Sequence, residues 1–161
     1  MRKTLWRREL RADAWRYPGE SGTGEPVLTL AELLQAAAEG RLAGAGVGVS
    51  LGPTDNVELL APLVERLALI VVQFEKSGDG RGYSQAQLLR QRIGYAGELR
   101  AGGAIGRDHL FLLARCGFDA FDLDPGEDLE AARAQLQRYS VAYQGAADTL
   151  VRPRRREGYA A

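Results

Sequence analysis

The chain has 161 residues, 45% hydrophobic and 26% charged, which suits one ordinary domain with its own core and excludes wholesale disorder. Its 21 Lys and Arg balance its 21 Asp and Glu, so it lacks the basic excess of a dedicated nucleic-acid binder. One cysteine and one histidine exclude a disulfide framework and the usual His/Cys zinc cages, so no metal is expected.

The opening "MRKTLWRREL" has no apolar core of a secretory signal, and "LALIVVQF" is far too short to span a bilayer. The expectation is a cytoplasmic protein without a membrane part. Residues 1–26 read as an N-terminal strand and loop. Ala14 to Tyr17 form a short edge strand, and the Pro/Gly-rich stretch from Pro18 to Pro26 is a loop.

A single α/β domain follows over residues 27–147. "PVLT" is a short apolar run, and "LAELLQAAAEG" has helical spacing and stops at Gly40. "GVGVSL" reads as a strand. "TDNVELLAPLVERL" reads as a helix capped by Thr54 or Asp55, kinked or divided at Pro62. "ALIVVQF" is β-branched and apolar on both faces, as the middle strand of a parallel sheet must be. "YSQAQLLRQRIG" is a helix capped by Ser84 and ended by Gly94. "GELRAGG" is a strand, "GRDHLFLLARCG" a helix ending at Gly117, "FDAFDLD" a strand, and "GEDLEAARAQLQRYSVAY" a long final helix. Residues 148–161, basic and without periodicity, read as a loosely held tail.

About five alternations of strand and helix imply right-handed crossovers and a mostly parallel sheet. That number cannot close a conventional eight-stranded barrel. The expected fold is therefore α/β, either an open doubly wound sheet or a partial, barrel-like array.

In such folds ligands gather beyond the carboxyl ends of the strands. "EKSGDGRG" lies at such an end, where glycines permit close approach and Arg81 can clamp a small oxyanion, with Tyr83 and Ser84 beside it. The competing reading is a turn at Asp79 and Gly80, with Ser84 a cap and Arg81 paired to a neighbouring acid. Strand alternation puts Gln73 and Glu75 on one face and Glu98 and Arg100 on another shared face, with Asp122 in the next strand. A charge inside a parallel sheet demands a partner, so Arg100 is expected to contact Glu75, Glu98 or Asp122. The cluster is either ligand-orienting or a salt bridge that sets register. With both arginines, it would form an electropositive rim.

Cys116 sits in the last turn of its helix, at the negative end of the macrodipole, and reads as a packed thiol. His109, near a helix N-terminus, is the weak candidate for an acid or hydrogen-bond donor. Nothing forms a recognisable flavin, nicotinamide, haem or iron–sulfur motif, so no cofactor is identifiable.

"DGRGYSQAQLLRQRIGYAGELRAGG", then "DHLFLLARCGFDAF" and "YQGAAD", resemble a bacterial family known as domain of unknown function 934. The matching block runs from Asp79 to Phe121. Its members are often encoded beside the sulfite reductase haemoprotein and carry an oxidoreductase label in sulfite reduction drawn from that neighbourhood. The resemblance implies a role in sulfur assimilation, either in binding a small oxyanion or as an accessory docking on sulfite reductase. It brings no catalytic residues with it, and leaves open both enzymatic activity and a homo-oligomer.

Overall fold

The computed structural model describes residues 2–42 and 46–138. The expected tail at 148–161 and the last part of the final helix lie outside the described residues. Strands β1 (Lys3–Trp6), β2 (Glu9–Ala12), β3 (Trp15–Arg16), β4 (Glu25–Thr29), β5 (Val47–Leu51), β6 (Leu67–Phe74), β7 (Glu98–Gly103) and β8 (Ala120–Phe121) form one sheet in the order β2-β1-β8-β7-β6-β5-β4-β3. Neighbours from β3 to β8 run parallel, and β1 is antiparallel to both β2 and β8. The fold is mixed α/β with a mostly parallel sheet.

From β3 to β8 spatial order follows chain order. Right-handed crossovers that always advance in one direction place their helices on the same side. A doubly wound sheet reverses its order in the middle, and this one does not. Helices α1 (Leu30–Ala38), α2 (Gly80–Gln87), α3 (Leu110–Cys116) and α4 (Leu129–Arg138) bury Leu33, Ala86, Leu110, Leu113 and Leu136 in one core. That core includes Val49, Ile70, Val72, Leu99 and Phe121 of the sheet. The opposite face carries a separate small cluster of Val27, Leu69 and Val71, with Trp15 and Tyr17 packed on it.

The sheet is strongly curled. β2 and β3 stand at opposite ends of the strand order, yet only Asp13 and Ala14 separate them in sequence. Three peptide units reach at most about 11 Å, so the two ends of the ladder are held close together. The Asp13 amide donates to the Arg2 carbonyl at 2.9 Å, and the Glu25 amide donates to the Ala14 carbonyl at 3.0 Å. One segment thus serves β1 on one side and β4 on the other. The helix-free face becomes an enclosed interior.

Three local expectations are corrected. Within the segment read as one strand and a loop, residues 3–12 form an additional β1–β2 hairpin that supplies this closure. Its turn places Arg7 and Arg8 at φ 45° and 71°, a conformation for which Asn-Gly is the usual signal. The segment Val57–Arg66 winds as 3₁₀ turns capped by Asn56, not by Thr54 or Asp55. Pro62 within it lacks the amide that an α-helix requires there. α2 begins at Gly80 under the side chain of Asp79, and Ser84 is an interior residue whose hydroxyl donates to the Gly80 carbonyl at 3.2 Å.

Candidate functional site

The period-two alternation of strands turns Glu98 and Arg100 of β7 inward. The register sets Arg100 beside Val71 of β6 and Ala120 of β8. Arg100 is 0% exposed. Its Nε and Nη2 donate to Glu98 Oε1 at 3.1 and 2.7 Å, and its Nη1 donates to Asp13 Oδ2 at 2.9 Å and to the Tyr17 hydroxyl at 2.8 Å. Arg11 pairs with the other oxygen of Glu98, and Arg2 reaches Asp13 at 3.0 Å and Glu20 at 2.6 Å. Desolvation would lower the Arg100 pKa, but Tyr17, Glu98 and Asp13 more than offset it and hold the guanidinium charged. Burial pushes the Tyr17 phenol up to about 12 despite Arg100, so it remains protonated at neutral pH. Each inward charge of this network has an opposite charge beside it.

Asp122 lies just beyond β8, at the carboxyl end of the parallel strands. Its nearest cation is Arg2, at 4.0 Å, outside hydrogen-bond reach. It lines a cleft of about 540 Å³ with Arg2, Lys3, Gly103, Asp124 and Glu127. Burial raises the Asp122 pKa, and Arg2 and Arg100 only partly counter this. A carboxyl with a raised folded pKa binds more protons folded than unfolded in the window above the ordinary value near 4, so its contribution to stability falls as pH rises through that window. Asp122→Asn is therefore expected to gain stability relative to the parent between pH 4 and pH 7, measured by urea denaturation at both. An unchanged difference between the two pH values would contradict this assignment.

Gly103 at this mouth has φ +87°, and a Cβ there would lie 2.3 Å from the Phe74 carbonyl oxygen. Only glycine fits that return turn.

Arg81 stands elsewhere. α2 packs on the outer face of β6, where Gly82 sits so close that a Cβ would lie 2.5 Å from the Phe74 ring. Tyr83 meets the same ring edge-on, with centroids 5.3 Å apart, and belongs to the packing. Arg81 Nε and Nη2 donate to Asp79 Oδ1 and Oδ2 at 2.9 and 2.7 Å. The pair lines a cleft of about 530 Å³ with Pro53, Asp55, Asn56, Val57, Ser84, Gln85 and Leu88. The sheet thus separates Arg81 from Arg100, and the expected common electropositive rim does not form. Glu75 lies past the end of β6, exposed, and its charge is felt by Arg81 rather than by Arg100. Of the expected polar cluster, Glu98 and Asp122 gather near Arg100, and Glu75 does not.

His109 ends a 3₁₀ turn, Arg107–His109, and its Nδ1 is buried without a hydrogen-bond partner. It lines neither cleft. Cys116 is buried, with Gln87 Nε2 4.0 Å from its sulfur, and burial raises its pKa. That environment keeps the thiol protonated.

Sequence reasoning missed a second buried hub. Arg90 lies in a π turn, Leu88–Ile93, that continues α2. Its Nε donates to the Gly117 carbonyl at 2.9 Å, its Nη1 to the carbonyls of Tyr95 and Gly97 at 2.7 and 2.8 Å, and its Nη2 to Asp119 Oδ1 at 3.3 Å. The same Asp119 oxygen accepts the Leu99 amide at 2.8 Å. Burial lowers the Arg90 pKa and raises that of Asp119, and each partner opposes the other's shift. The missed signal was an arginine on the apolar side of an otherwise amphipathic helix, which demands buried acceptors.

These features define a mixed α/β protein with a curled, mostly parallel sheet and a self-neutralised polar interior. The model of the family described as Bacterial protein of unknown function (DUF934) matches residues 48–152, and the chain belongs to that family. No curated protein and no solved structure matches the chain. The family match begins within β5, so Asp13 and Tyr17, which hold Arg100, lie before it.

Proposed function

We propose that this protein is a non-catalytic accessory of assimilatory sulfite reduction that docks on sulfite reductase. The observation that carries this reading is the state of the two arginines suited to clamp an oxyanion. Arg81 is engaged by Asp79, and Arg100 by Glu98 and Asp13. Sulfite or sulfate at Arg100 would have to displace two carboxylates inside an enclosed interior, where each uncoupled charge is costly. The frequent encoding of family members beside the sulfite reductase haemoprotein supports the choice of partner. The test is size-exclusion chromatography of the purified protein with sulfite reductase at micromolar concentration. Co-elution is expected, and clean separation would overturn docking.

A second reading, oxyanion binding at Arg81, is favoured by one feature. The Asp79–Arg81 pair lies at the surface beside the N-terminus of α2, where exposed ion pairs contribute little and open readily. It predicts that millimolar sulfite or sulfate raises the melting temperature and that Arg81→Ala abolishes the rise. No shift with either anion would remove it.

A further inference from the structure

The tip of the β1–β2 hairpin is built against its own stability. Arg7 and Arg8 form its two-residue turn between Trp6 and Glu9. Among the described residues they are the only non-glycine residues with positive φ, at 45° and 71°. A Cβ crowds the backbone in that region, which is why Asn-Gly is the usual pair at such a turn. Outliers of this kind persist where the side chains serve a purpose that glycine cannot.

The charges are placed as unfavourably as the backbone. Arg8 has no hydrogen bond or ion pair among the described residues, and none of its nitrogens is sealed from water. Arg7 lies over the Trp6 ring at 4.7 Å, with its side chain 46% exposed. It reaches Asp119 Oδ2 at 3.4 Å, but that carboxylate is already paired with buried Arg90. Two guanidinium groups therefore share one carboxylate, and the charge of Arg7 works against that of Arg90. Glu9, exposed at the start of β2, is the acid next to the turn in sequence. An anion brought to the tip would relieve this repulsion and meet two forked donors. Carboxylates fit better than a phosphate polymer or a lipid surface. The chain balances 21 Lys and Arg against 21 Asp and Glu, and membrane-binding segments cluster several more cations than this turn holds.

We infer that the hairpin tip binds an acidic segment of another protein, with Arg7 and Arg8 each receiving a carboxylate. Any protein carrying such a segment would satisfy the tip, so this binding stands or falls apart from docking on sulfite reductase.

The test is fluorescence anisotropy of a dye-labelled hexaglutamate peptide titrated with the full chain at two ionic strengths, beside thermal unfolding of the same samples. Saturable binding that weakens as salt rises is expected. Arg7→Asn combined with Arg8→Gly should weaken it about tenfold or more, because both forks are lost. The same double variant should melt about 2–4 °C higher, because the crowded turn is relieved. Arginines that merely held the hairpin would lower the melting temperature when replaced. Arg8→Gln, at a side chain with no partner to lose, should weaken binding severalfold and leave the melting temperature unchanged. No saturable binding by the parent, undiminished binding in either variant, or a lower melting temperature in the double variant would overturn the inference. A single-stranded oligonucleotide or phosphatidylserine vesicles bound more tightly than hexaglutamate, and released by the same substitutions, would overturn the choice of a protein segment.

Discussion

Arg100→Met is expected to lower the unfolding free energy by about 3–5 kcal/mol, the usual cost of leaving a buried ion pair with one partner. The substitution keeps an unbranched chain against the inner face but takes the guanidinium from Glu98, Asp13 and the Tyr17 hydroxyl, which all meet it within 3.1 Å, and leaves Glu98 only Arg11 and Asp13 only Arg2, both partly exposed. Arg100→Lys should recover little, because an ammonium cannot present the planar fork that reaches three groups at once. Adding Glu98→Gln and Asp13→Asn to Arg100→Met should restore part of the loss, since the buried negative charges that have lost their nearest cation go with them. Urea denaturation of the single and triple variants measures this. A single-variant loss below about 1 kcal/mol, the range of an exposed pair, would mean that water reaches the network.

Arg90→Met is the second large effect, also expected at about 3–5 kcal/mol. Arg90 ties the end of the α2 helix to the turn at Gly117 and to the start of β7 and β8, through three carbonyls and Asp119. Without it, the carbonyls of Tyr95, Gly97 and Gly117 lose their donor, and the buried Asp119 carboxylate keeps only the Leu99 amide at 2.8 Å and the half-exposed Arg7 at 3.4 Å. The pH dependence should change with it. Asp119 already has a raised pKa through burial. Loss of Arg90 should raise it further and widen the window above pH 4 in which stability falls as pH rises. Parallel denaturation at pH 4.5 and pH 7 checks this. A variant less penalised at pH 7 than at pH 4.5 would contradict the pairing.

Both arginines lie within the stretch that resembled the family, and both hold the fold together. Motif specificity and chemistry are separable here. "DGRGYS" looked like an anion-binding turn because glycine, arginine and serine suit one. Its second glycine instead makes room for the Phe74 ring, its aspartate caps α2, and its arginine pairs with that same aspartate. The competing reading of this stretch as a turn describes Arg81 correctly, although the cap is Asp79 rather than Ser84. That Arg100 shares a face with Glu98 and needs an acidic partner, Glu75, Glu98 or Asp122, was legible for a simple reason. Residues two apart share a face, and a charge in a parallel sheet requires a partner. Asp13 and Tyr17 were not legible, because they reach Arg100 from 87 and 83 residues away along the chain.

By itself the sequence determined what local physics determines: the alternation of strand and helix, the glycine stops at Gly40, Gly94 and Gly117, a mostly parallel sheet, and the shared face of Glu98 and Arg100. These depend on periodicity, φ preference and the cost of a buried charge, all of which act over a few residues. Only the tertiary structure decided that the strands advance in one direction, and that the N-terminal hairpin and Asp13 bring the two ends of the sheet together. It also decided that Arg81 and Arg100 occupy different sides of it. Curl is a property of the whole ladder, and no local stretch of chain records which side of the sheet a distant segment will cover.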